Sequence, residues 1–278
     1  MAGTLRDRIG VDVGNRMPIE EAIQWASRND VHVIDVQIDR PPNALDSFDA
    51  GRCSRVKALA RREGVTVGLH TSSAVNVAEF APCVDEAVDE YLRNYVDMGA
   101  LMEAGWIVVH AGFHFTSDRD ARMKAALDRL QRIADHAERQ GVTLLLENLN
   151  PEPEHAEVKY LAHTRDEWRY FYDGVRSPAL RLSFTANHPH LLDEGIDPWL
   201  DTLPVDRVDE VRLADSHGRY EEHLLPGQGT MDFGHIFRRL EEMGYRGHYV
   251  NAFGTLDDML AGREFEIERA REAGVSID

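Results

Sequence analysis

Eight short apolar runs, each followed by a longer stretch with helical spacing, alternate along the whole 278-residue chain. The runs are RIGVDVG (8–14), VHVIDVQID (31–39), VTVGLH (65–70), WIVVH (106–110), VTLLLEN (142–148), LRLSFTA (180–186), VDEVRLAD (208–215) and GHYVNAF (247–253). Each is rich in Val, Ile and Leu and nearly continuous, which is how a strand reads when both faces of a parallel sheet are covered. The stretches between them, 19–28, 54–64, 80–105, 121–141, 165–175, 197–203, 233–244 and 256–274, read as helices. In the fourth of these, Met123, Ala126, Leu127, Leu130 and Ile133 recur on one face. Gly64, Gly105, Gly141 and Gly244 stand where a left-handed residue ends a helix. Strict alternation of eight strands and eight helices predicts a single α/β domain over 1–278, a (β/α)8 TIM barrel rather than an open doubly wound sheet. The first strand has no GxGxxG turn, which weakens a dinucleotide reading.

Barrels of this kind carry their sites at the C-terminal mouth, so the residues that finish each strand are the informative ones. Here they are Asp12, Asp35 with Gln37, His70, His110, Glu147, Thr185 with His188, Arg212 with Asp215, and Asn251. The loop after the seventh strand adds His217, Glu221 and His223. Such a convergence of His, Glu and Asp suits Zn²⁺, Mn²⁺ or Fe²⁺, and equally suits acid–base catalysis by imidazoles and a carboxylate. Glu147 is the most diagnostic residue. It ends an otherwise apolar run, where an isolated buried charge is costly and a partner is required. In the loop that follows, Glu152 is a candidate second carboxylate, while Glu154 and His155 read as solvated. The GQG at 227–229 reads as a tight turn. The four tryptophans fit helix–strand packing, and His32, His136, His163, His235 and His248 show no convergence.

Charge narrows the partners. With 31 Lys+Arg against 49 Asp+Glu, the net charge is −18, which counts against a nucleic-acid partner and favours a small-molecule substrate. No apolar stretch approaches the ~18 residues of a membrane span. Cys53 and Cys83 make no disulfide framework, and the first residues carry no apolar signal core, so a soluble, cytoplasmic protein is expected. A homo-oligomer is left open.

GLHTSSAVNVA (68–78), VVHAGFHF (108–115), LLLENLNPE (144–152), FTANH (184–188), LADSHG (213–218) and EEHLLPGQGTMDF (221–233) resemble the xylose-isomerase-like barrel superfamily of sugar isomerases, epimerases and endonuclease IV-type nucleases. The resemblance implies a divalent metal held by Glu, Asp, His and Glu on strands five to eight. Glu147 matches the first ligand, but the other three fall on Thr185, Arg212 and Asn251. The endonuclease-like members imply further metals, with His70, His110 and Glu147 at one site and His188 and His223 at part of another. Arg212 cannot ligate, because its guanidinium stays protonated and has no acceptor. The expectation is therefore a metal displaced from the central position toward the histidines, or a pocket without one.

The function expected is that of an isomerase, an epimerase or a related lyase. Its substrate would be a sugar, cyclitol or hydroxy-carbonyl compound, attacked by proton abstraction next to the carbonyl. Glu147, Arg212 and His188 would carry the chemistry, and Asp12, Gln37, Glu152, Asn251 and His217 would bind substrate. Metal-assisted phosphoester hydrolysis and a catalytically silent ligand-binding barrel are the alternatives.

Overall fold

The eight apolar runs are strands, and a computed structural model, which describes residues 4–277, closes them into one parallel barrel. In chain order the strands are β1 (Ile9–Gly14), β2 (Val33–Val36), β3 (Thr66–His70), β4 (Ile107–Val109), β5 (Phe113–Phe115), β6 (Leu144–Glu147), β7 (Val158–Tyr160), β8 (Leu180–Thr185), β9 (Val208–Leu213) and β10 (His248–Asn251). All but β5 and β7 form the barrel, in the order in which they follow along the chain. The helices are α1 (Leu5–Arg8), α2 (Ile19–Arg28), α3 (Ala50–Glu63), α4 (Val84–Met102), α5 (Arg119–Gln140), α6 (Arg165–Gly174), α7 (Asn187–His190), α8 (Asp197–Thr202), α9 (Phe233–Glu242) and α10 (Leu256–Glu272). None of them is long and apolar enough to cross a membrane.

Two features are not legible as periodicity. Strands β5 and β7 leave the barrel and pair antiparallel, Phe113 opposite Tyr160, so the segment after the fifth apolar run contributes a strand beside the mouth instead of only a solvated loop. Helix α7 is a single turn that carries His188 just beyond β8. One cap also differs. Glu103, not Gly105, adopts the left-handed conformation that ends α4. Gly105 is required for another reason, since a Cβ there would lie 2.7 Å from Thr66 Cγ2.

Alternation sorts the strand residues between the barrel interior and the helices. Val33, Trp106, Val108, Leu145 and Val250 form an apolar cluster of their own, the filling expected inside such a barrel. Trp106 occupies space left by Gly68, whose Cβ would meet the indole at 2.1 Å. Two residues further along β4 and β6, on the same inward face, come His110 and Glu147. The register sets neighbours at equal height, Asp12 beside Asp35 and Thr185 beside Arg212. A polar layer thus lies on an apolar plug at the C-terminal end of the barrel.

Candidate active site

Glu147 is buried at the floor of a cavity of about 640 Å³ at this mouth. Its Oε1 accepts from the Thr185 hydroxyl at 2.5 Å and its Oε2 lies 3.1 Å from His110 Nε2. His70 Nε2 stands 3.3 Å from His110 Nε2 and 3.6 Å from Glu147 Oε2. Burial pushes the Glu147 carboxyl up, but the polar contact with His110, together with His70 and Arg212, outweighs it and holds the group well below the usual carboxylate range. Burial pushes His110 down despite Glu147. For His70, burial and Arg212 lower the affinity for a proton, yet Asp35, Glu147 and Asp12 outweigh them and raise it.

Donor and acceptor roles follow from the network. Thr71 Oγ1 donates its only hydrogen to Val108 O at 3.0 Å, so it can only accept from His110 Nδ1, 3.3 Å away. That leaves His110 Nε2 with a lone pair aimed at another imidazole nitrogen and a carboxylate oxygen. These atoms can be held together by an N–H on His70 Nε2 or by a metal ion. Edges of 3.1–3.6 Å match the ligand spacing of about 3.3–3.4 Å in a tetrahedral site with bonds of about 2.0–2.1 Å. Among the described residues, His70, His110 and Glu147 are the one group of three whose ligand atoms all lie within 4.8 Å of one another. This set fits a divalent ion.

The position implied by the family for a central metal does not. Arg212 is buried there among four carboxylates. It is bonded to Asp35, donates to Asp12 at 2.5 Å and to Glu210 at 3.3 Å, and its Nε lies 4.0 Å from Glu147 Oε1. Burial opposes its charge, but Asp12, Glu210, Asp35 and Glu147 hold its pKa well above the ordinary value. Three of its five N–H groups are engaged, so Nε–H and one Nη–H remain for an oxygen in the cavity. The strand-end residues alone suggest an Arg212–Glu147 pair and pass over Glu210. Glu210 lies two residues before Arg212 on the same inward face and is itself held by Ser183 at 2.8 Å and His248 at 3.1 Å. His248, which shows no convergence in the sequence, therefore belongs to this network.

His188 and His223 also line the cavity, on a different wall. They share one carboxylate oxygen of Glu221, at 3.0 and 3.1 Å. Their Nδ1 atoms face the carbonyls of Asn148 at 2.7 Å and Ala252 at 2.8 Å. Every ring nitrogen meets an oxygen. Burial pushes the Glu221 carboxyl up, but His188 and His223 outweigh it and lower its pKa to about 2, and Glu221 in turn raises that of His223. The two histidines thus hold a carboxylate between them, and both ring nitrogens of His188 already have partners in Asn148 O and Glu221.

Of the residues expected to bind substrate, Asp12 and Gln37 line the cavity, whereas Glu152, His217 and Asn251 do not. Glu152 accepts from Asn150 at 3.2 Å on the exposed loop. His217 turns to Glu222 at 3.1 Å and is half exposed. Asn251 points out of the barrel and donates to Met259 O of α10 at 3.1 Å. Inward-facing Val250 puts Ala252, not Asn251, at the mouth. Ala252 lines the cavity, so Asn251, the residue matched to the fourth family ligand, does not reach the mouth.

The xylose isomerase-like TIM barrel family model matches residues 23–265, and the chain belongs to that family. Among curated relatives, fructoselysine 3-epimerase of Shigella flexneri is 25% identical over 240 residues, 84% of each chain. L-ribulose 3-epimerase of Methylomonas sp. (strain DH-1) is 27% identical over 191 residues, covering 67% of this chain and 62% of the relative. Among solved structures, a D-tagatose 3-epimerase-like protein superposes with a TM-score of 0.82 at 19% identity, over 96% of this chain and 98% of that one. D-psicose 3-epimerase from Clostridium cellulolyticum H10 gives 0.77 at 15% identity, over 96% and 99%. At those identities the structural likeness speaks for the barrel.

Proposed function

We propose that this chain is a single-domain cytoplasmic isomerase or epimerase of small hydroxy-carbonyl substrates, sugars or cyclitols, working by proton transfer at the carbon next to the carbonyl. The observation that carries this reading is Glu147, a buried carboxylate kept ionised at the floor of a sugar-sized cavity, beside a cation with unused donors. The curated relatives named above as sugar 3-epimerases support the same class.

In this reading the substrate carbonyl oxygen takes the free Nε–H and Nη–H of Arg212. Glu147 removes the proton from the adjacent carbon, and the Thr185 hydroxyl fixes the carboxylate that receives it. Negative charge moves to the carbonyl oxygen, where Arg212 stabilises the enolate. Delivery of a proton from water in the cavity to the other face inverts the centre; return from Glu147 to the former carbonyl carbon, with the adjacent hydroxyl proton passing to the enolate oxygen, moves the carbonyl. A divalent ion held by His70, His110 and Glu147 would supply Lewis-acid polarisation of a substrate oxygen.

The test is solvent exchange. Incubated with a panel of ketoses in D₂O, the protein should catalyse deuterium entry next to the carbonyl, read by ¹H NMR, and Glu147→Gln should stop it. A folded protein that exchanges none of the panel, or a Glu147→Gln variant that exchanges as fast as the wild type, overturns the proposal.

A further inference from the structure

The rim of the cavity carries cations that the reaction centre does not use. Arg16, after β1, and Arg40, after β2, both line the cavity and are exposed. Neither makes an ion pair among the described residues, although acidic groups outnumber basic ones 49 to 31. The two loops are tied together: Asn15 Nδ2 donates to the carbonyls of Arg40 and Pro41, each at 2.9 Å, and its Oδ1 accepts from Asn43 at 3.2 Å.

Arg16 is held by backbone alone. Its Nη1 donates to Asp12 O at 3.0 Å and Val13 O at 3.1 Å, and its Nη2 to Gly254 O at 3.1 Å. Its Nε–H and one Nη–H stay free, on a guanidinium already fixed in place. His223 is anchored to the same segment through Ala252 O at 2.8 Å, and Glu221 at 3.1 Å raises its affinity for a proton. The carboxylates of this sector are committed: Asp12 to Arg212, Glu221 to its two histidines, and Asp258 to capping α10 through Thr255. Across the mouth stand the neutral Ser73, Asn150 and Tyr160, with the Glu152 carboxylate behind them, bonded to Asn150 at 3.2 Å.

We infer that this sector seats an anionic group, a carboxylate or a phosphate, at the end of the substrate remote from the reacting carbonyl. This rests on the hydroxy-carbonyl reading above. A standing anionic group is disfavoured at the floor, where the ionised Glu147 and Asp35 lie, whereas the enolate forms only as Glu147 takes up its proton, so the charge orients the substrate with its carbonyl end down. Arg16 and Arg40 then select for a charged tail that a free sugar lacks.

The test compares D-fructose, D-fructose 6-phosphate and 5-keto-D-gluconate by calorimetric titration of the full chain, with inorganic phosphate and acetate as sugar-free probes. One of the two charged ketoses should bind at least about tenfold tighter than D-fructose, as charge-assisted hydrogen bonds to one anionic group provide, and the preference should shrink with added salt. Which one wins separates phosphate from carboxylate. In the Arg16→Met/Arg40→Met double variant the ratio should fall to about one. Arg40→Met alone, at a guanidinium with no partner to lose, should lower it without altering the fold. A wild-type ratio near one, or a preference that survives the double variant, overturns the inference. If D-fructose shows deuterium exchange but no charged ketose is preferred, the inference fails while the proposed function stands. If no ketose binds or exchanges, the proposed function fails. The simple anions then decide the subsite: binding lost in the double variant upholds it, and no binding overturns it.

Discussion

Glu147 and Arg212 divide the work at the scale of single residues. Glu147→Gln keeps the shape and the contact with Thr185 but removes the base, so proton exchange should fall by about 10²–10⁴-fold, measured as the rate of deuterium entry. Arg212→Leu leaves Asp35 and Glu210 buried, and Asp12 half-buried, without their cation. Breaking one side of a buried ion network costs about 3–5 kcal/mol, so the urea midpoint should drop accordingly. An unchanged midpoint would mean that the carboxylates find other partners. Glu147 is legible in the sequence because a carboxylate after three consecutive leucines needs a reason. Glu210 gives a fainter signal, its spacing of two from Arg212, which acquires meaning only once Arg212 is known to point inward.

At the scale of elements, the seam between β10 and α10 shows how one residue of register decides a site. Asn251 faces α10 and Ala252 faces the cavity, the reverse of what a strand-end reading places at the mouth. Behind Asn251, Glu266 is fully buried and neither of its oxygens has a hydrogen-bond partner. Burial, only partly offset by Asn251 and Arg263, raises its pKa to about 8. The folded state therefore keeps a proton that the unfolded chain releases near its ordinary value of about 4.3, and stability declines between those two pH values. Glu266→Gln should remove this slope. Its gain in melting temperature over the wild type should grow from pH 5 to pH 8 and then level off, whereas a constant difference would show that Glu266 does not titrate there. The plug beneath the site makes a second demand. Gly68→Val should push Trp106 out of the barrel, breaking its 2.9 Å hydrogen bond to Asp35. Overpacking of this kind costs about 1–3 kcal/mol or more, visible as a lowered urea midpoint with altered tryptophan fluorescence.

At the scale of the whole molecule, four strand ends meet at the place where the family resemblance implies a metal, and they supply Glu147, Thr185, Arg212 and Ala252. One anionic ligand beside a permanent cation cannot coordinate a divalent ion, while the His70–His110–Glu147 set can. Metal analysis with anomalous scattering should accordingly find no ion between Glu147 and Thr185, and any bound ion on the two histidines. The Thr185→Asp/Arg212→His/Ala252→Glu variant should gain a central ion; full central occupancy in the wild type would refute the assignment. The sequence by itself determined the barrel, because eight buried parallel strands must be nearly continuous in Val, Ile and Leu and their helices must carry one apolar face. It also determined that polar groups gather at the mouth, because strands of one barrel end at one face. Which of those groups point inward, and which carboxylates each cation meets, only the tertiary structure decided. Those outcomes depend on register, on one-residue shifts at the strand ends, and on contacts such as Arg212 with Asp12 and Asp35 that join residues some two hundred positions apart.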